Sequence, residues 1–347
     1  MTGSLIKLVR ITAIEKLTDK SSRFILEPLD GWLPVYRAGQ YLTLLFPHPD
    51  GEKRRSYSIL SSPSRNEPLS IAVKKIDNGE FSRHLLYYTR PGDVLATAGI
   101  QGLFTLPENP SGYDYFFLAA GSGISPCLSL IKTLLTDTNE RIILIYSNSS
   151  QKDVMFFDEL EQLRNTFPER FRIRYLLSDI FRIDESRLSK SLLQRLLSQE
   201  LQKDKPVLFY LCGPELYMLM IIITLRSMGF KNDQIKREDF DTRPRTHLPT
   251  PPDMDRHNVE ININGRSVIL PVQYPDSILA TAKKNNVLLP YSCEAGRCGA
   301  CLARCTEGEI WMAYNEVLTD EEVKRGLILS CQSFPINGDA KIVVNIS

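Results

Sequence analysis

Four cysteines near the C-terminus, Cys293, Cys298, Cys301 and Cys331, stand in the order C-x4-C-x2-C with a fourth 29 residues further on. This is the ligand spacing of plant-type [2Fe–2S] sites. It constrains the fold strongly, because the chain must return after a long excursion to place a fourth sulfur beside the first three. The run Ser292-Cys293-Glu294-Ala295-Gly296-Arg297-Cys298-Gly299-Ala300-Cys301 surrounds the sulfurs with small residues. Small residues let backbone N–H groups turn toward thiolates and help set a cluster potential. A structural zinc site and four unliganded thiols are the alternatives. Closed four-cysteine zinc sites pair their ligands as two C-x2–4-C knuckles, whereas Cys331 stands alone in Leu329-Ser330-Cys331-Gln332. The spacing therefore implies one-electron chemistry.

At 347 residues the chain is long enough for two or three domains. With 43% hydrophobic and 24% charged residues it has the composition of a globular protein. A net charge of +1 gives no electrostatic reason to expect a nucleic-acid partner. The first residues, MTGSLIKLVRITAIEKL, lack the apolar stretch and cleavage site of a signal peptide. The longest apolar run, Leu216 to Leu225, is about half of what a membrane span needs. No membrane span and a cytoplasmic location are the expectations. The other cysteines, Cys127, Cys212 and Cys305, are odd in number and scattered, which argues against a disulfide framework.

Residues 241–257 read DTRPRTHLPTPPDMDRH, with four prolines and almost no aliphatic residues, the composition of a semi-rigid linker. Beyond it, alternating residues flank Asn264-Gly265, a strong hairpin signal. Asp276 is expected to cap a short helix from Ser277 to Lys284. Before the linker, short strand-like runs such as Tyr41 to Phe46, Ser56 to Leu60 and Leu69 to Val73 are broken by Gly and Pro, which predicts a small antiparallel barrel up to about residue 108. From Tyr113 onward, strands alternate with helices expected from Ser125 and near 155–166 and 185–199, the pattern of a parallel sheet covered on both faces.

Several short motifs carry chemistry. Gly121-Ser122-Gly123-Ile124-Ser125-Pro126 follows a strand and opens a helix, so its N–H groups can face a pyrophosphate. Alone it also fits a tight strand–helix turn. Cys212-Gly213-Pro214 lies at the same carboxyl edge, where ligands bind in open α/β sheets. In Arg55-Ser56-Tyr57-Ser58, strand alternation puts Arg55 and Tyr57 on one face and Ser58 on the other. An arginine fork suits phosphate and a tyrosine face suits a planar ring, although a solvent-facing arginine beside a barrel tyrosine is the plain alternative. Gly79-Glu80-Phe81-Ser82 reads by itself as an ordinary helix start.

Taken in order, Arg55-x-Tyr57-Ser58, Gly79-x-x-Ser82, Pro91-Gly92-Asp93 to Gly102-x-Phe104, Gly121-x-Gly123-x-x-Pro126, Cys212-Gly213-Pro214-x-x-x-Met218 and Glu238-x-Phe240 resemble the ferredoxin-NADP reductase superfamily over essentially the whole chain. With the C-terminal plant-type ferredoxin pattern, including Gly308-x-x-x-Met312-x-x-Asn315-x-x-Leu318, the chain is most similar to the reductase subunits of phenylacetyl-CoA epoxidases and related oxygenase reductases. The resemblance implies a multi-domain fold. Residues 1–110 would form an antiparallel flavin-binding β-barrel and 111–240 an α/β parallel-sheet NAD(P)-binding domain. The linker 241–257 would lead to an α+β β-grasp ferredoxin domain, 258–347.

By that resemblance Arg55 and Ser82 hold flavin phosphates, Tyr57 stacks on the isoalloxazine and Ser58 sits near N5. Gly121, Gly123 and Pro126 bind the dinucleotide, with Ser125, Cys212 and Glu238 around the nicotinamide. Ser58, Cys212 and Glu238 are thereby the catalytic positions. Ser56, Ala72, Val73, Lys74, Gly79, Phe81, Ser122, Gly213 and Pro214 complete the cofactor contacts, and Cys293, Cys298, Cys301 and Cys331 hold the metal. FAD is favoured over FMN on the same ground. For Cys212 a buried packing thiol is the plain reading, since no histidine in the sequence stands near it to activate a nucleophile. Cys127 is expected in helix core and Cys305 in strand packing.

One departure bears on the donor. Where members preferring NADPH carry arginines, this chain has Tyr146-Ser147-Asn148-Ser149-Ser150 and Leu177-Ser178-Asp179. A carboxylate there repels a 2′-phosphate and accepts ribose hydroxyls, while Lys152 or Arg182 could compensate, so NADH and NADPH both remain open. The expected function is an NAD(P)H reductase delivering electrons through flavin and cluster to an oxygenase, a di-iron enzyme of the phenylacetyl-CoA epoxidase type or else a Rieske oxygenase or desaturase. An electron carrier or scaffold with inactive nucleotide domains predicts no flavin, and a zinc-stabilised interaction module predicts a colourless protein.

Overall fold

Short apolar runs punctuated by Gly and Pro do form strands. A computed structural model of the chain describes residues 6–49, 51–179, 186–202, 205–241, 243, 245 and 247–344. It separates into two units, residues up to Asp239 and residues from Phe240 onward.

The first unit begins with β1 (Lys7–Thr18), β2 (Ser21–Pro28), β3 (Tyr41–Phe46), β4 (Lys53–Ser58), β5 (Ser70–Lys74) and β6 (Val94–Gln101). They make one antiparallel sheet in the order β4-β3-β6-β1-β2-β5. A bridge from Ile59 to Ile71 joins the two outer strands, so the sheet closes on itself. Inside lie Val9, Ile11, Phe24, Leu42, Leu44 and Val73. Closure removes exposed strand edges. Helix α1 (Glu80–Tyr88) packs Phe81 and Leu85 into the same core.

A second sheet follows, wholly parallel, built from β7 (Asp114–Ala120), β8 (Ile142–Asn148), β9 (Phe171–Leu177), β10 (Val207–Cys212) and β11 (Ile235–Glu238) in the order β11-β10-β7-β8-β9. Strand β7 reads Tyr115-Phe116-Phe117-Leu118, and its side chains divide by the period of two. Tyr115 and Phe117 join α2 (Ile124–Asp137) and α3 (Phe157–Thr166) on one face. Phe116 and Leu118 join α4 (Lys190–Glu200) and α5 (Glu215–Ser227) on the other. Burial on both faces explains why these strands are continuously apolar. Helix α4 begins after Ser189, whose hydroxyl accepts the Leu192 N–H, while the start expected near residue 185 lies outside the described residues.

Barrel and parallel sheet meet at a buried ionic junction. Lys132 of α2, 4% exposed at its side chain, lies 2.6 Å from Glu67 of the barrel and 3.2 Å from Glu159 of α3. Glu159 also pairs with Arg23 of β2. Burial raises the Glu159 pKa, but Lys132 and Arg23 outweigh it and hold the carboxyl below its usual range.

In the second unit β12 (His257–Ile263) and β13 (Arg266–Val272) form the expected hairpin, with Asn264 and Gly265 both at positive φ as a type I′ turn requires. Helix α6 (Ile278–Lys284) follows, and its cap is Ser277, not the expected Asp276: the Ser277 hydroxyl accepts the Ala280 N–H, while Asp276 pairs with Lys284. A hydroxyl one residue closer to the first turn wins because it reaches the free N–H groups directly. Then come β14 (Leu302–Met312), α7 (Asp320–Lys324), β15 (Leu327–Leu329) and β16 (Ser333–Val344), giving the sheet order β13-β12-β16-β14-β15 with β12 and β16 parallel. The cysteine loop connects α6 to β14.

Replacing Lys132 by Met removes the buried cation shared by Glu67 and Glu159, leaving them Arg65 and Arg23, and should destabilise the chain by about 3 kcal/mol in denaturant titration at neutral pH. Because the Glu159 pKa is depressed, the stability it contributes is present above the ordinary carboxylate pKa and lost as pH falls through the lower folded value. The gap between variant and wild type should accordingly narrow below about pH 4.

Candidate active site

At the carboxyl edge of the parallel sheet, two turns stand against each other. After β7 the chain makes one tight turn, Gly121–Gly123, before α2 begins. A Cβ on Gly123 would lie 2.0 Å from the Cys212 carbonyl oxygen and 2.9 Å from the Gly213 nitrogen. Only glycine permits this approach. The turn's carbonyls are braced by two tyrosines: Tyr146 Oη donates to Gly121 O at 3.0 Å and Tyr217 Oη to Ala119 O at 3.3 Å. Ser125 and Pro126 are buried in the first turn of α2, and no side chain caps that helix. The Ile124 N–H at its start donates to Gly121 O and Ser122 O, and Pro126 carries no N–H, so of its first three residues Ser125 alone keeps a donor for an anion. Pro214 caps α5 after the second turn, again without a side-chain cap.

The barrel supplies a cation to this place. Lys74, at the end of β5, puts Nζ 3.2 Å from where a Gly121 Cβ would stand. Burial lowers the Lys74 pKa. Ala72 is half-buried, whereas Val73 points into the barrel core.

Ser58 ends β4 and Glu238 ends β11, and both are buried. Ser58 Oγ donates to Glu238 Oε2 at 3.2 Å. Cys212 is the register partner of Glu238 and is also buried. Glu238 has its pKa pushed up to about 8 by burial, with the Ser58 hydrogen bond acting against the rise. Burial and the neighbouring Glu238 carboxylate raise the Cys212 thiol well above its ordinary value. A thiol so held is no nucleophile at neutral pH. What the trio offers is a hydroxyl, a weak acid and a soft neutral sulfur at one point.

Beside it, Arg55 and Tyr57 share the face of their partners Leu44 and Leu42, and Ser56 on the other face lies 3.0 Å from the Thr43 hydroxyl. The Arg55 guanidinium lies 4.4 Å over the Phe81 ring, which brings it to the first turn of α1. There Gly79 caps the helix, and a Cβ on it would meet Ser82 Oγ at 2.8 Å. Ser82 Oγ accepts the Ile76 N–H at 3.2 Å. Guanidinium, hydroxyl and helix N-terminus together fit a phosphate. Burial raises the Tyr57 phenol, which stays neutral.

In the second unit Cys293 and Cys298, and Cys301 and Cys331, are close enough to shift one another's protonation, and Cys301 acts on Cys298 as well. Among the described residues no three His, Cys, Asp or Glu side chains gather as ligands of a single ion. Cys293 is lowered to about 6, by the Cys298 thiol first and then by the N–H groups of Ala295, Arg297 and Cys298. The inward-facing amides expected from the small residues are therefore present. Cys127 lies in the helix core and Cys305 in β14, where its thiol contacts the Glu307 carbonyl at 3.4 Å.

Asp179 follows β9, and its N–H donates to Ser149 O at 3.0 Å, so carboxylate and serine pair stand side by side past the ends of two strands. Lys152 is exposed. Arg182 lies outside the described residues. Sequence motifs did not single out Tyr146 or Tyr217 as turn braces, nor Lys132 as the junction; each is a lone residue inside an apolar element and carries no motif.

A model of the 2Fe-2S iron-sulfur cluster binding domain matches residues 261–335, one of the oxidoreductase NAD-binding domain matches 117–221, and one of the oxidoreductase FAD-binding domain matches 9–106. The chain is 32% identical over 320 residues to a subunit of the 1,2-phenylacetyl-CoA epoxidase of Escherichia coli K12, covering 88% of each. It is 28% identical over 317 residues to the ferredoxin reductase component of 3-ketosteroid-9-alpha-monooxygenase of Rhodococcus rhodochrous, covering 89% of this chain and 88% of that one. Among solved structures, phthalate dioxygenase reductase superposes with a TM-score of 0.58 at 24% identity, covering 98% of both chains. An intact type IV self-sufficient cytochrome P450 monooxygenase gives 0.72 at 20% identity over 97% of this chain, which spans 41% of that longer one. At these identities the two structures bear on fold alone.

A Gly123→Ala variant should lose nucleotide-dependent reduction and melt several degrees lower, read by calorimetry, because the added carbon cannot clear the Cys212 backbone. The raised Glu238 pKa has its own signature. Folding favours the protonated acid, so that stabilisation is complete below the ordinary carboxylate pKa and is lost as pH rises toward about 8. Melting temperatures measured from pH 5 to 9 should fall less for Glu238→Gln than for wild type.

Proposed function

This chain belongs to the ferredoxin-NADP reductase superfamily, as an NAD(P)H-dependent flavoprotein reductase with FAD-binding, NAD-binding and [2Fe–2S] domains of the kind that serves oxygenases, and we propose from that membership how its residues do the work. The domains are taken as 1–110, 111–240 and 258–347, joined by 241–257. The residues named below would hold the flavin, which when bound would supply hydride acceptance and one-electron release. The protein's part is positioning and electrostatics.

The observation that carries this reading is the 3.2 Å contact of Ser58 with Glu238. It joins the last residue of a barrel strand to the last residue of a parallel-sheet strand, next to the glycine turns. Arg55, Gly79, Phe81 and Ser82 form the cradle for the flavin phosphates. Tyr57 presents its ring to the isoalloxazine beside Ala72 and Lys74, while Ser56, whose side chain faces Thr43, and Val73, whose side chain lies in the barrel core, offer it backbone groups. Gly121, Ser122, Gly123, Ser125 and Pro126, with Gly213 and Pro214 opposite, hold the dinucleotide, and Lys74 is placed to meet its phosphates. Ser58, Cys212 and Glu238 surround the point where nicotinamide and flavin meet. A hydroxyl and a protonated acid there can donate hydrogen bonds to ring and carboxamide while adding no charge. Cys293, Cys298, Cys301 and Cys331 ligate the cluster.

The electron acceptor is an oxygenase component. An epoxidase acting on an acyl-CoA is favoured, because the relative 32% identical over 88% of both chains carries that name. The location is the cytoplasm; among the described residues no helix is long and apolar enough to cross a membrane.

Anaerobic titration of the purified protein with NADH, and separately with NADPH, should bleach flavin absorbance and then cluster absorbance. Absence of flavin, even after FAD or FMN is added, would leave only a carrier or scaffold. In the same assay Asp179→Arg should raise the rate with NADPH relative to NADH about tenfold, the effect of some 1.4 kcal/mol at the 2′-position.

A further inference from the structure

Strand β9 is the outermost strand of the parallel sheet, and it opens Phe171-Arg172-Ile173-Arg174. Arg172 and Arg174 are the register partners of Ile143 and Ile145, so by the period of two both rise on the α4 face, one strand outside those isoleucines. Helix α4 buries Leu192, Leu193 and Leu197 against the sheet and sets Arg195, Leu196, Gln199 and Glu200 along this edge. Arg164 and Asn165, from the end of α3, stand across from them. The cleft so formed has a volume of about 710 Å³ and reaches down to the buried Phe116, Ile143 and Ile145. Its strand residues lie within the first four of β7, β8 and β9, whereas the glycine turns follow the carboxyl ends. Phe116 precedes Gly121 by five residues, about 16 Å of strand. The dinucleotide site therefore does not use this cleft.

We propose that this cleft is a second ligand site, for an organic phosphate with an apolar end, and that its ligand is a thioester of coenzyme A. Of the described residues that line it, Arg164, Arg172, Arg174 and Arg195 are cations and Glu200 alone is acidic. The Glu200 charge is divided, 3.0 Å from Arg172 and 3.1 Å from Arg141, and Arg164 pairs with Glu161. A guanidinium carries five donors, so one such pair does not exhaust it. The cleft is thus electropositive, and its cations are all of the forked kind that binds phosphate in bidentate fashion. Half-buried Ile173 and Leu196 give it apolar wall beside the arginines, and its volume is that of a small-molecule site. Charged residues on an edge strand also deter strand pairing, but that role needs neither a cavity nor Arg164 and Arg195 facing it. The choice of a coenzyme A thioester rests on the reading that the acceptor is an acyl-CoA epoxidase; the class of ligand rests on the cleft alone.

The experiment is isothermal titration calorimetry on the full-length, flavin- and iron-loaded protein in saturating NAD+, so that a coenzyme A compound meets a filled dinucleotide site. Phenylacetyl-CoA should bind once per chain, several-fold more tightly than coenzyme A and about a hundredfold more tightly than inorganic phosphate or phenylacetate. Arg174→Gln/Arg195→Gln should weaken it about tenfold. Arg164→Gln, a change at an exposed side chain that spares the fold, should weaken it about threefold. Flavin bleaching by NADH should keep its rate in both variants. No heat with phenylacetyl-CoA, or binding that all three exchanges leave intact, would overturn the site. Inorganic phosphate binding as tightly as the thioester, or coenzyme A doing so, would overturn the ligand class. Thioester binding seen only without NAD+ would assign it to the dinucleotide site and overturn the cleft. A wild type whose flavin NADH does not bleach would sink the reductase reading alone, because the calorimetric comparison of variants needs no electron transfer.

Discussion

A buried ammonium is tolerable only where carboxylates surround it, and Lys132 has two, one from the barrel and one from the helix beside α2. That requirement fixes how barrel and parallel sheet face each other. Apolar packing alone would hold the two layers together but leave their rotation loosely specified, since it is not directional. With the junction set, β4 and β11 end at the same place, and residues 180 positions apart can share a hydrogen bond of 3.2 Å. The approach of the Lys74 amine to Gly121 depends on the same relative placement.

Desolvation does the chemical tuning. The interior that fixes Glu238 is the same one that raises its pKa, so a residue that would be an anion at the surface becomes a hydrogen-bond donor. Cys212 is held neutral by the same burial, with Glu238 adding to it. In the second unit Cys293 is treated the other way, its thiolate favoured first by the Cys298 thiol and then by backbone N–H groups, whereas thiol neighbours and burial raise Cys298 and Cys301.

The cysteine spacing, the glycine turns and the Asn264-Gly265 hairpin were legible because each is a local rule: a loop of given length, a residue without Cβ, a turn needing two positive φ angles. The cap of α6 was misread by one residue, since Asp276 and Ser277 are both competent caps and only the backbone path chooses between them. The bracing tyrosines, Tyr146 and Tyr217, gave no signal at all, for a tyrosine in an apolar strand or helix looks like core until its hydroxyl finds a carbonyl. In the proline-rich stretch the bond from Arg245 to Ala295 O gave no signal in the composition, because it depends on the fold of the cysteine loop.

By itself the sequence determined the order of the elements, the cysteine spacing and the glycine turns, because these rest on short-range stereochemistry and on residue type. Tertiary structure decided which of the buried polar groups meet. Ser58 with Glu238, Lys132 with Glu67 and Glu159, and Arg297 with Asp241 are pairs between residues far apart in the chain. Their energies come from desolvation and geometry, which exist only once the surrounding layers have closed.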